Sequence, residues 1–103
     1  MIYIKFGPGA KIIFQGHAEY AENGKDIVCA GVSTLYMTFL ASTNAKETVM
    51  GNVRMLEADP VYKNRRIHEA VCTGLVILSK NYPKNVKILG ESPYPAKVEK
   101  NIV

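Results

Sequence analysis

Cysteine is scarce in this chain: 103 residues hold only two, Cys29 and Cys72. Cys29 stands at an apparent helix start and Cys72 in an apolar helical stripe. Such a pair reads as reduced thiols and excludes a disulfide-stapled secreted scaffold. No basic stretch followed by an apolar run opens the chain, so no signal peptide is expected. Low-complexity segments and repeats at solenoid spacing are also missing. The one long uncharged run, Ile27 to Ala45, contains Ser33, Thr34, Thr38, Ser42, Thr43 and Asn44. With that many hydroxyl and amide groups it reads as a core helix rather than a membrane span. What remains is ordinary for one folded domain: 48% hydrophobic and 21% charged residues. A soluble cytoplasmic protein with no membrane partner is the expectation.

The net charge of +4 is unevenly spread. Residues 1–60 carry five basic and six acidic side chains, whereas residues 61–103 carry eight basic and three acidic. A basic half can steer a protein toward RNA-rich particles, and Lys63, Arg65 and Arg66 form its densest cluster. No aromatic-basic stacking motif accompanies them, so direct nucleic-acid binding is not expected.

Alternation places Ile2, Ile4 and Phe6 on one face of a first strand. Gly7-Pro8-Gly9 turns the chain into a second strand, Lys11 to His17, completing a hairpin. There Lys11, Ile13, Gln15 and His17 share one face, opposite Ile12, Phe14 and Gly16. A polar loop ending at Asn23-Gly24 follows, and Asp26 is the N-cap candidate of the first helix. That helix buries Val28, Val32, Leu35, Tyr36, Phe39 and Leu40 and stops near Ser42-Thr43-Asn44. Gly51-Asn52 between Val49-Met50 and Val53-Met55-Leu56 predicts a second hairpin. A second helix is expected from about Arg66 to Tyr82, with Ile67, Ala70, Val71, Gly74, Leu75 and Leu78 as its stripe. Gly31 and Gly74 read as points where the helices pack closely. Val86 to Leu89 can add a short terminal strand. After Gly90, Pro93 and Pro95 suggest an extended arm, which divides the chain into a domain at 1–89 and an extension at 90–103. The expected class is α+β: a mostly antiparallel sheet of about four strands in the order β-β-α-β-β-α, with two helices on one face.

His17 and Cys29 bracket the loop between the second strand and the first helix. Both sit at element ends, where a scaffold can aim side chains into one cleft. Amides in the first helical turn are unpaired, and the positive end of the helix dipole favours an anionic sulfur. An imidazole within reach would complete the nucleophile–base pair of acyl transfer. Free amides of the helix start or of the Gly24 loop would hold the oxyanion.

Gly16-His17-Ala18, followed at the proper distance by Gly24-Lys25-Asp26-Ile27-Val28-Cys29-Ala30, resembles the signature of the Prp family of ribosomal-processing cysteine proteases. Ser33, four residues after the cysteine, also fits. The resemblance covers about residues 1–89 and is poor over 45–65. It implies a cofactor-free, homodimeric endopeptidase that removes a short N-terminal extension from a large-subunit ribosomal protein, cutting after an aromatic pair. A phage structural protein is an alternative substrate. Cys29 and His17 carry over as the catalytic pair, and Asp26, Ser33, Gly24 and Ala30 as supporting active-site residues. Ala21 stands where family members usually have a second loop glycine, which implies a stiffer loop.

Blander roles compete with these. Asp26 can simply cap the helix, the favoured role, or face His17 and orient its ring as a triad acid does, and Ser33 can bond back to the Cys29 carbonyl. His68 and Cys72, four apart, have the spacing of two metal ligands, yet two ligands make no site and core packing is the expected role. A non-catalytic ribosome- or RNA-associated module using the basic half, or a redox sensor built on Cys29, are the competing functions.

Overall fold

A computed structural model of the chain describes residues 1–16 and 27–94. The loop 17–26, with His17, Ala21, Gly24 and Asp26, lies outside the described residues, as does the end of the extension from 95.

The elements run β1 (Ile2–Gly7), β2 (Ala10–Gly16), α1 (Ile27–Thr43), β3 (Lys46–Met50), β4 (Val53–Ala58), α2 (Tyr62–Asn81) and β5 (Val86–Ile88). They form the expected α+β fold, with five strands where about four were expected. The sheet order is β3-β4-β2-β1-β5. All neighbours are antiparallel except β1 and β5, where Ile2 lies beside Val86 and Ile4 beside Ile88. Three residues of parallel strand carry little local signal, because their pairing is entirely long-range. The Ile2 amide to the Asn85 carbonyl, 2.8 Å, and the Leu89 amide to the Ile4 carbonyl, 2.8 Å, lock β5 in place.

Both hairpins follow from their turn residues. Gly9 sits at φ +74° between β1 and β2, and Gly51 at φ +61° between β3 and β4. β2 pairs with β4 so that Ile12 stands beside Leu56 and Phe14 beside Arg54. Ile2, Ile4, Ile12, Phe14 and Leu56 therefore point to one face, where they meet Val28, Val32 and Phe39 of α1 and Val71, Cys72 and Leu75 of α2. The helices meet reciprocally at the two predicted glycines. A Cβ on Gly31 would stand 3.2 Å from a Leu78 methyl, and one on Gly74 3.0 Å from a Leu35 methyl.

Helix α2 starts at Tyr62, four residues before the expected Arg66. Lys63, Arg65 and Arg66 crowd its first turns, where the helix dipole disfavours cations, and the N-cap Val61 makes no side-chain bond. Instead the buried Asn64 amide donates to the Asp59 carbonyl at 3.0 Å, tying the helix start to the end of β4. Ala70, placed in the apolar stripe by spacing, is exposed. Among the described residues no helix is long and apolar enough to cross a membrane.

His68 is fully buried. Its Nε2 faces the Lys11 carbonyl at 3.0 Å, which can only accept, so Nε2 carries the proton. Nδ1 then accepts from the Tyr94 hydroxyl at 2.6 Å. Cys72 Sγ lies 3.5 Å from Nε2, and the Phe39 ring centroid 5.6 Å from that of His68. The residues after β5, expected to leave the core, thus return Tyr94 to it. Burial lowers the His68 pKa from 6.5, with the Lys11 carbonyl opposing the shift. The unfolded chain therefore binds the proton more readily than the folded one. The neutral ring's contribution is complete above pH 6.5 and is lost as pH falls below it. Chemical denaturation across pH 7.5–5 should show stability falling on the acid side, with a shallower fall in His68→Gln. Identical slopes in the two proteins would assign the acid sensitivity to other groups.

Candidate active site

A cleft of about 530 Å³ opens between α1 and the ends of the central strands. Its helical wall is built by Cys29, Val32, Ser33, Tyr36 and Met37, residues three and four apart on one side of α1. The facing wall comes from Ile2 and Phe14 on the sheet, Gly16 at the end of β2, and Gly51, Asn52 and Arg54 around the β3–β4 turn.

Cys29 is the third residue of α1 and exposed. The first amides of a helix have no acceptor within the helix itself, so a cysteine in this turn stands where hydrogen-bond donors can face a developing charge. Gly16 borders the same cleft from the other side. It sits at φ +92°, and a Cβ there would collide with the Met1 carbonyl oxygen. Its amide donates to the Asn52 carbonyl at 3.1 Å. The strand that leads into His17 is thereby held against the β3–β4 turn, with no side chain possible at its last residue.

Of the residues singled out from sequence, Cys29 and Ser33 line this cleft together. The Ser33 hydroxyl makes no side-chain hydrogen bond among the described residues, in contrast to Thr34 and Thr38, whose hydroxyls donate to carbonyls one turn back at 2.8 and 2.7 Å. Ala30 is exposed and lies off the cleft; its carbonyl accepts the Thr34 hydroxyl. His17, Gly24 and Asp26 are outside the described residues. His68 and Cys72 sit in the core, and no group of three or more His, Cys, Asp or Glu side chains gathers among the described residues.

Sequence reasoning missed the far end of the cleft. Tyr36, assigned to the apolar stripe, packs edge-on against Phe14 with ring centroids 5.0 Å apart. Its hydroxyl donates to Glu47, whose carboxylate lies 3.6 Å from the Arg54 guanidinium. Burial is the main reason the Tyr36 pKa is raised, reinforced by Glu47 and opposed by Arg54. Only the cross-strand register, with the cleft residue Phe14 beside Arg54, reveals that Arg54 faces the helix.

The family model for the cysteine protease Prp matches residues 1–87. The chain belongs to the Prp family of cysteine proteases. No curated protein matches the chain. Among solved structures, the essential ribosomal processing protease Prp from S. aureus, with a covalently linked product peptide, superposes with a TM-score of 0.64 at 20% identity. That match covers 84% of this chain and 94% of the other. The same S. aureus protease with a substrate peptide gives 0.62 at 18% identity, covering 85% and 95%. SMU.848 from Streptococcus mutans gives 0.60 at 24% identity, covering 97% and 93%. At these identities the likeness is one of fold. A Prp cysteine protease needs an accessible thiol, and the two cysteines differ sharply. Burial pushes the Cys72 thiol up to about 12, and it is fully enclosed, whereas Cys29 is exposed at the cleft.

Limited iodoacetamide at neutral pH should accordingly label Cys29 and spare Cys72 in the folded protein, as read by peptide mass spectrometry. Both should react in denaturant. Equal labelling of the two in the native state would contradict the enclosure of Cys72.

Proposed function

We propose that this Prp-family protease is an endopeptidase in which Cys29 is the nucleophile and His17 its base. The observation that supports this best is the shared cleft: Cys29 opens onto it from the first turn of α1, and Gly16, the residue before His17, borders it from the opposite wall. In this reading the Cys29 sulfur adds to the scissile carbonyl as His17 takes the thiol proton. The tetrahedral oxyanion is received by amides of the helix start and the Gly24 loop. Collapse breaks the C–N bond, His17 gives the proton to the departing amine, and a thioester remains on Cys29. Water, deprotonated by His17, then hydrolyses the thioester and restores the thiol. Asp26 caps the helix start and so positions Cys29, Ser33 supports the site from the next turn of α1, and Ala30, off the cleft, contributes only as the small residue after the nucleophile. No step calls for a metal or cofactor.

The S. aureus relative was solved with a substrate peptide and with a covalently linked product peptide, and it is a ribosomal processing protease. By that likeness, the substrate proposed here is a ribosomal protein precursor, cut in its N-terminal extension after an aromatic pair, with a phage structural protein as the alternative. The proposed setting is the cytoplasm and the proposed assembly a homodimer.

On peptides carrying an aromatic pair before a small residue, Cys29→Ala should reduce cleavage by roughly 10³-fold or more, and His17→Ala by a comparable factor, because nucleophile and base act as a unit. Circular dichroism should show both variants folded. Near-wild-type turnover by either variant rules out the assigned pair. Light scattering at micromolar concentration should give about twice the chain mass of 11.4 kDa; a clean monomer removes the dimer and leaves the chemistry standing.

A further inference from the structure

Charge is nearly absent from the described walls of the cleft. Helix α1 carries no charged side chain at all. Of the described residues that line the cavity, Arg54 alone bears a formal charge. Asn52 adds an amide, Ser33 and Tyr36 add hydroxyls, and the remaining lining is apolar or glycine, apart from the Cys29 thiol.

Among the described residues Arg54 has one ionic neighbour, Glu47, and the contact is loose. The guanidinium-to-carboxylate distance is 3.6 Å, and the Arg54 side chain is 55% exposed. A charge-assisted N–H···O bond is ordinarily about 2.7–2.9 Å. The same Glu47 oxygen already accepts the Tyr36 hydroxyl. Glu47 and the Tyr36 hydroxyl, which also hydrogen-bonds Arg54, orient the guanidinium while leaving part of its five-donor fork over, and Tyr36 is itself braced on Phe14. The result is a steered cation, its side chain more than half exposed, at the end of a groove whose described walls are otherwise uncharged and largely apolar.

Cys29 and Tyr36 stand seven residues apart on α1, a separation of about 10.5 Å along the helix axis. An extended peptide covers that length with about three residues at ~3.3–3.6 Å each. A peptide lying along the groove with its scissile bond at Cys29 would bring a side chain about three residues away to Arg54.

We propose that Arg54 is a specificity-determining residue that pairs with an acidic side chain of the peptide substrate about three residues from the scissile bond. The proposal rests on the protease reading for the position of the scissile bond. In the free protein the guanidinium stays solvated at the groove mouth. When a peptide covers the groove, water is displaced, and a carboxylate can take the guanidinium in the two-pronged geometry that Glu47 leaves open. A lysine at the same place would meet like charge across a low-dielectric wall.

The test separates binding from turnover. Fluorescein-labelled peptides are built on an aromatic pair followed by a small residue. Positions two to four residues from the scissile bond, on either side, carry Glu, Gln or Lys in turn. Affinity is measured by anisotropy on the Cys29→Ala chain, which needs no cleavage. At one of these positions Glu should bind roughly tenfold more tightly than Lys, with Gln between them, and the ratio should shrink as salt is raised. Adding Arg54→Ala should bring the ratio near one, and Arg54→Glu should invert it. Arg54→Lys, which keeps the charge without the fork, should retain part of the preference. Thermal melts establish that each variant is folded. Equal affinities for Glu and Lys peptides at every position, no measurable binding, or a preference unchanged by Arg54→Glu overturns the proposal. Cleavage of the same peptides by the intact chain is scored separately: binding discrimination without turnover would sink the protease reading and leave the acidic-peptide site in place.

Discussion

The cleft exists because the backbone at Gly16 approaches two other segments where no side chain fits between them. With φ at +92° and the Met1 carbonyl lying where a Cβ would be, that position is closed to every residue except glycine. The approach lets the end of β2 bond to Asn52, which sets the β3–β4 turn as one wall. The other wall depends on a second close approach. Leu78 lies over Gly31 and Leu35 over Gly74, so α1 is seated by α2 rather than by the sheet alone. Remove the first approach and the strand end drifts from the turn. Remove the second and the helix that carries Cys29 loses its backing.

Legibility in the sequence followed periodicity. The alternation of Ile2, Ile4, Ile12 and Phe14 and the helical spacing of Val28, Val32 and Phe39 identify buried faces directly, because burial of each residue follows from its own element's repeat. Gly31 and Gly74 were legible as contacts for the same reason: a glycine within a helix weakens it unless a neighbour needs the room. The start of α2 was not legible, since its first turns present cations where the dipole favours anions and its cap lacks a side-chain acceptor. β5 owes its structure to a partner more than eighty residues away in sequence. In the candidate site, Cys29 and Ser33 followed from one helix's repeat. Arg54 did not, because it enters the cleft only through the pairing of β2 with β4, and no local pattern reports that register.

His68 and Cys72 show how spacing misleads when partners are unknown. Four residues apart on one helical face is suitable for a metal, and it is equally what a core stripe produces. The surroundings decide between them. A backbone carbonyl and a tyrosine hydroxyl already occupy both imidazole nitrogens, leaving no lone pair for an ion. Neutrality in the core is therefore maintained by hydrogen bonds, while the one charged side chain among the described cleft residues, Arg54, stands at the groove mouth.

Tyr94 changes how the end of the folded unit is to be drawn. Among the described residues the last strand ends at Ile88, and an outline based on that secondary structure would stop there. The packing outline reaches further, because the Tyr94 hydroxyl supplies the proton that a fully buried ring nitrogen accepts. A chain trimmed just after β5 would retain its whole topology and yet carry an unsatisfied acceptor in its interior. Any shortened version of this protein intended to keep the native core should be cut beyond Tyr94, even though residues 89–94 form neither helix nor strand.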